Sequence, residues 1–371
     1  MHGTKILEEA DRLMTVCNSC RYCEGLCAVF PAMEMRRSFS DGDLNYLANL
    51  CHACGACYTD CQFSPPHEFN VNVPQNFAIA RNDSYAAYAW PRACSGLFAR
   101  NGLAISIIAA LGVAAFIFGF AAFNDQQVLL GIHTGPGAFY ALMPHNAMAA
   151  LFGAAFLYAI VALVMGVRAF WRDIGEPVGM KADPGSLWQA TKDTANLRYL
   201  DGGGVGCVNE DERPTDRRKI FHHLTFYGFL LCFAATCVGT LYHYLLAREA
   251  PYPWWDLPVV LGTLGGIGLL IGPAGLLAEK FKRDPVLVDE TRTGMDTAFI
   301  AMLFFTSLTG MALLLWRDSA AMGPLLALHL GVVFALFITM PYGKFVHGIY
   351  RFLALVRHAG ERRATAAAHS E

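Results

Sequence analysis

Cys17-Asn-Ser-Cys-Arg-Tyr-Cys-Glu-Gly-Leu-Cys27 and, 34 residues on, Cys51-His-Ala-Cys-Gly-Ala-Cys-Tyr-Thr-Asp-Cys61 share one spacing, CxxCxxCxxxC. Eight of the twelve cysteines lie in these two runs, all within the first 61 residues. Three thiols at successive x2 steps followed by a fourth form the ligand pattern of a bacterial two-cluster ferredoxin, in which the fourth Cys of each run serves the other cluster. The spacing therefore predicts two [4Fe–4S] clusters. One takes Cys17, Cys20, Cys23 and Cys61; the other takes Cys51, Cys54, Cys57 and Cys27. Zinc sites close on two separated ligand pairs, which these runs do not resemble. A disulfide framework is disfavoured because the rest of the chain places this segment in the cytoplasm, where thiols stay reduced. One departure stands out. The ferredoxin run ends Cys-Pro, whereas Ala28 and Gln62 follow here and the prolines are displaced to Pro31 and Pro65. The ligands are intact, while hydrogen bonding to the sulfurs is open to change.

The 371 residues are 55% hydrophobic and 16% charged, against roughly 25% charged in an average soluble domain. The apolar excess begins after residue 100. A net charge of −2 gives no reason to expect a nucleic-acid partner. Met1 to Asp11 has neither the apolar core nor the cleavage pattern of a signal peptide, so the first 100 residues are expected to stay where they are made. Six stretches reach the roughly 20 apolar residues needed to cross a bilayer: 102–123, 144–168, 221–246, 256–279, 296–316 and 324–350. The last is interrupted by Pro341 and Lys344, and a proline inside a span often marks a kink.

Lysine and arginine set the orientation. They collect before the first span (Arg81, Arg92, Arg100), between the second and third (Arg168 through Lys181 to Lys219), between the fourth and fifth (Lys280, Lys282, Arg283, Arg292) and after the sixth (Arg351, Arg357, Arg362, Arg363). The other loops hold only Arg248 and Arg317. Both termini are therefore expected inside. The predicted fold is mainly α: a two-cluster ferredoxin-like head over 1–95 and a six-helix transmembrane domain over 96–371. A glycine-rich cytoplasmic loop at 171–220 interrupts the latter. A long loop of this kind is usually functional. Its Gly202-Gly-Gly-Val-Gly-Cys207 stretch reads equally as a flexible turn and as a contact with the head or a partner. No Lys-Ser/Thr follows, so a phosphate loop is not indicated.

Histidine within a span is costly and suggests function. The third span has His222 and His223 near its inner end and His243 near its outer end; the sixth has His329 outside and His347 inside. Facing histidines on two helices suit the axial positions of haem b. On one continuous helix, His329 and His347 lie five turns apart on the same face, about 27 Å along the axis. His222 lies closer in azimuth to His243 than His223 does. The expected pairs are His243 with His329, and His222 or His223 with His347, for one or two haems. His145 and His133 are held in reserve, while His52, His67, His358 and His369 are expected to be solvated.

The first cysteine run, the Gly-Gly-Gly-Val-Gly-Cys207 stretch and Arg217-Arg-Lys-Ile-Phe-His-His223 together resemble the tricarballylate-utilisation B proteins, or citrate-utilisation CitB-type membrane proteins, over nearly the whole chain. The membrane half is also similar, by analogy only, to the cytochrome b subunits of heterodisulfide reductase and of respiratory nitrate reductase (the gamma subunit). The family resemblance implies an electron-transfer protein of the bacterial inner membrane, with two [4Fe–4S] clusters and haem. It implies reoxidation of the reduced FAD of a soluble tricarballylate dehydrogenase, with the quinone pool as acceptor. No flavin-binding GxGxxG follows a strand, so the FAD belongs to a separate partner. Lys344, Arg351 and Tyr342 are weak candidates for a polar handle on the quinone. Two other readings compete: a redox subunit of heterodisulfide-reductase type, which lacks its cysteine-rich domain here, and a membrane anchor or redox sensor for a dehydrogenase.

Overall fold

The computed structural model describes residues 2–175, 183–211 and 213–368; Lys181, within the long loop, and His369 lie outside them. In the N-terminal head, helix Lys5–Cys20 starts where the Thr4 hydroxyl accepts the Leu7 N–H and stops at Arg21 in the left-handed region. Helix Asp41–Leu50 starts on a reciprocal capping box between Ser40 and Asp43. Helix Val73–Tyr88 starts on Asn72, with Pro74 in its first turn, where a missing N–H is harmless. Their apolar faces meet around Leu13, Met14, Leu44, Leu47 and Phe77. Burying each such side chain stabilises by about 1.5–3 kcal/mol.

Among the described residues six helices are long and apolar enough to cross a membrane: Asn101–Phe123, His145–Ile174, Arg217–Leu246, Leu257–Phe281, Glu290–Trp316 and Met322–Tyr342. The third and fourth pack backbone to backbone. A Cβ on Gly265 would stand 2.7 Å from the Gly228 carbonyl oxygen and 2.8 Å from the Cys232 nitrogen. Small residues permit this approach where no hydrophobic force drives helices together. Gly265→Leu is expected to push the third helix, with its histidines, off the fourth. Overpacking costs typically 1–3 kcal/mol, so the thermal midpoint in detergent should fall by several degrees; an unchanged midpoint would refute the close packing.

The sixth stretch departs from expectation. The helix ends at Thr339, residues Met340–Tyr342 form a 3₁₀ turn, and a separate helix runs over Val346–Ala368. Pro341 has no N–H to continue the ladder. His329 and His347 therefore lie on different helices, and the five-turn relation does not apply. The last helix also leaves the membrane body and packs on the head, burying Val346, Tyr350, Ala354, Leu355 and Val356 in the head's core. The division at 95/96 is thus no boundary of packing.

Charge fastens this last helix. Asp43 pairs with Arg36 at 2.8 Å and Arg357 at 3.0 Å, Glu361 pairs with Arg357 at 2.9 Å, and the Tyr46 hydroxyl donates to Glu361 at 3.0 Å. Burial raises the Asp43 carboxyl, but hydrogen bonds from Arg36 and Ser40 outweigh it and hold the group below its ordinary range. A lowered carboxylate contributes stability above its unfolded value, about 3.9, and loses it as pH falls through the folded value. Docking of this helix should be flat from pH 5 to 8 and weaken in acid below about pH 4. Proteolysis of the C-terminal helix as a function of pH checks this.

The long loop is not structureless. It carries helix Pro184–Ala195, capped by Asp183, a 3₁₀ turn at Gly202–Gly204, and a short antiparallel pair, Cys207–Val208 with Pro214–Thr215. Helix Pro184–Ala195 packs against the C-terminal helix.

Candidate functional site

The first cysteine run begins inside a helix. Cys17 and Cys20 lie in the last turn of Lys5–Cys20, three apart and so on one face. Together with Cys23, Cys57 and Cys61 they line a small cavity walled by Val16, Phe30, Phe63, Val71 and Val73. Cys51 ends helix Asp41–Leu50, and Cys57 lies in the short helix Ala56–Thr59. Cys27 stands within electrostatic reach of Cys54 and Cys51, and Cys57 within reach of Cys54, Cys51 and Cys27. Cys27 thus lies with Cys51 and Cys54, and Cys61 with Cys17, Cys20 and Cys23, while Cys57 stands between the two groups.

Among the described residues no three His, Cys, Asp or Glu side chains converge as ligands of one ion would. A cubane spreads its four thiolates over separate irons, so such thiols surround a volume rather than a point. Burial and neighbouring thiols push Cys17 and Cys23 up to about 12. Burial pushes Cys54 up to about 11. Thiols in this state are poor nucleophiles, which disfavours thiol–disulfide chemistry; a bound metal deprotonates them directly. Two backbone N–H groups already face sulfur, Ala53 to Cys51 at 3.3 Å and Phe63 to Cys61 at 3.4 Å. The residues present fit two cubane clusters.

The glycine stretch closes on the second set. Gly203, at φ +79°, lies so near Leu26 that a Cβ would stand 3.2 Å from its Cα; the positive φ and the contact both call for glycine. The Val208 N–H donates to the Cys54 carbonyl at 2.8 Å, and buried Cys207 packs near Cys54. The loop is a contact with the head.

Beneath the second set lies a cavity of about 520 Å³. His52, Arg81 and Cys207 line it from the head side, and His222, Arg218, Lys280, Asp296, Lys344, His347 and Arg351 from below. Phe226, Phe229, Leu230, Phe299 and Ile300 form its apolar wall. The rings of His222 and His347 face each other across 6.1 Å at 75°. A metal–imidazole bond is about 2 Å, so one iron between two such rings sets their centroids about 6 Å apart. The His347 Nδ1 bonds the Lys344 carbonyl; it must donate to do so, which leaves the Nε2 lone pair for a metal. The His222 Nδ1 is buried without a partner among the described residues. These two residues fit an axial pair.

The other histidines are placed differently. His223 turns away, its Nε2 3.2 Å from the Ala195 carbonyl. At the far end, His243 stacks on His145 rather than meeting His329, with centroids 3.5 Å apart and planes 15° apart. Rings stacked this closely leave no room for an iron, so as arranged they do not fit a second haem. His329 instead sits against Gly310 and bonds the Thr309 hydroxyl at 3.0 Å. His52 and His358, expected in solvent, are buried; burial and nearby arginines hold both far on the neutral side. Tyr342 is occupied elsewhere, 2.6 Å from the Tyr158 hydroxyl and donating to the Trp90 carbonyl at 3.0 Å. Lys344 and Arg351 do line the cavity. Asp296 bonds Lys344 at 2.8 Å and Lys280 at 3.2 Å. Burial presses Lys344 down to about 8 although Asp296 opposes it. The sequence marked Arg351, the Arg217-Arg-Lys run and the loop that carries Cys207; the parts played by His52, Arg81, Arg283 and Asp296 were not legible in it.

A head with two sets of clustered thiols, seated on six membrane-length helices, defines a multi-pass membrane protein of the iron–sulfur class. The chain belongs to the citrate utilization protein B family. That family's model, described as Citrate utilization protein B, matches residues 96–368, and its Fer4-like domain model matches residues 10–87. The chain is 51% identical over 356 residues to Citrate utilization protein B of Escherichia coli, covering 96% of this chain and 92% of that protein. No solved structure matches.

Proposed function

We propose that the chain is a membrane electron carrier that reoxidises the reduced FAD of a soluble dehydrogenase and delivers the electrons to the quinone pool through two [4Fe–4S] clusters and haem b. The observation that carries this reading is the cavity, which runs from beside Cys51 and Cys54 to His222 and His347. Bound there, the metals would supply one-electron carriers that divide a flavin's electron pair. The chain's own residues do the rest. Cys17, Cys20 and Cys23 lie at the accessible side of the head, beside exposed Tyr22, where a soluble partner can approach. His222 and His347 present the axial nitrogens. Leu230, exposed on the cavity's apolar wall, faces the hydrocarbon from which a quinone would come. Lys344, held by Asp296 at 2.8 Å, is the proton donor at that wall.

The basic loops put the head and both termini on the cytoplasmic side. The relative's name points to citrate utilisation, and the family resemblance to tricarballylate, as the context of the partner dehydrogenase. Anaerobic purification in detergent, with iron, sulfide and haem quantified and a dithionite-reduced spectrum, tests the reading. About eight irons with b-type bands at one haem per chain is the expected result. Cluster iron without haem would overturn the histidine assignment and move quinone reduction to the clusters. Neither cofactor, with iron supplied during expression, would leave only an anchor.

A further inference from the structure

Four guanidiniums converge on one turn of backbone. Arg81 donates to the carbonyls of Cys51 at 2.6 Å and Ala48 at 3.3 Å. Arg351 donates to Cys51 at 2.8 Å and Asn49 at 3.3 Å. Arg218 donates to Ala53 at 3.0 Å and His52 at 3.1 Å, and Arg283 also donates to Ala53. They arrive from a head helix, the third span, the loop after the fourth and the C-terminal helix. Among the described residues none of the four is in an ion pair, and Asp296, which acts on Arg283, is taken by two lysines.

Carbonyl dipoles satisfy the N–H groups but neutralise no charge. Arg81 is buried, and Arg218, Arg283 and Arg351 are half-buried where they line the cavity. Gathering four like charges away from bulk water is unfavourable unless an anion answers them. The thiols of the second set are within reach: Arg351 acts on Cys51, and Arg218 on Cys54. The first set has no such ring. Cys23 feels Asp60 instead, and Arg21, which bonds the Asn18 carbonyl at 3.1 Å, is exposed to water.

We propose that Arg81, Arg218, Arg283 and Arg351 are the counter-charge of the cluster held by Cys51, Cys54, Cys57 and Cys27. They keep its reduction potential above that of the cluster held by Cys17, Cys20, Cys23 and Cys61. The inference rests on the two-cluster reading above. One electron leaves the first site, which is oxidised, and enters the second, which is reduced; no bond or proton changes. The arriving electron adds one negative charge, which fixed positive charges stabilise in a low dielectric. The ring thus gives the pair a direction, from the exposed side toward the cavity.

The test is a redox titration followed by electron paramagnetic resonance on the full chain in detergent, with each signal assigned by its loss in Cys54→Ala or Cys20→Ala. The Cys54-dependent signal is expected at the higher potential. In Arg351→Gln and Arg218→Gln its reduction equilibrium should fall about tenfold, which is about 59 mV for one electron. The Cys20-dependent signal should stay in place, and Arg351→Lys should retain most of the original value. No shift, an equal shift of both signals, or a lysine variant matching the glutamine one would overturn the proposal. If both glutamine variants lose iron, the order in the unmutated chain decides, and a lower Cys54-dependent potential overturns it. Iron near zero in the unmutated chain would instead overturn the two-cluster reading itself.

Discussion

Replacing His347 with leucine is expected to abolish the b-type absorbance while leaving about eight irons per chain. The side chain lines the large cavity, its Nδ1 is committed to the Lys344 carbonyl, which leaves Nε2 free, and its ring stands 6.1 Å from that of His222. Removing an outer-shell partner typically costs a metal site about 10–100-fold in affinity; removing an axial nitrogen costs more. His222→Leu should give the same loss. His223→Leu should keep the haem, since that ring bonds the Ala195 carbonyl instead. Pyridine haemochrome assay of the three variants reads the result. Equal haem in all three would refute this pair as the axial ligands.

Removing Cys27 is expected to eliminate the same paramagnetic signal as removing Cys54, although Cys27 belongs to the first run. Removing Cys61 should eliminate the signal that depends on Cys20. In each single Cys→Ala variant iron falls from about eight to about four, because the remaining three thiols cannot close a cube. The second set should also lose more stability. Thiols of both sets pack against the head's core, but only Cys51 is buried within it, and it is also the cap where helix Asp41–Leu50 ends. Cys27→Ala acting on the Cys20-dependent signal would mean each run serves its own cluster, contrary to the geometry around Cys51 and Cys54.

How far each assignment carried depended on how local its cause is. The thiol sets were legible because spacing of three along a helix and its exit fixes which sulfurs share a face. Five spans were legible because length and apolarity are properties of a single segment. The sixth was misread as continuous to residue 350. Pro341 and Lys344 both signalled the break, but where the chain went next depended on the head, whose core takes up Tyr350 and Leu355.

Histidine placement shows the contrast most clearly. Helical geometry ranks positions around one axis, and it favoured His222 over His223 with good reason. It says nothing of what stands opposite. That His222 meets His347, that His243 meets His145, and that His329 meets Thr309 all follow from how separate helices pack. The glycines of the third and fourth helices decide that packing through backbone contact. By itself the sequence determined the iron–sulfur character of the head and the number of membrane-length segments, each of which is written in neighbouring residues. Only the tertiary structure decided which histidines pair, that the C-terminal helix joins the head, and that four arginines from four segments surround one cysteine turn. Those are contacts between residues up to 325 positions apart, formed where burial and charge compensation are shared by the whole fold.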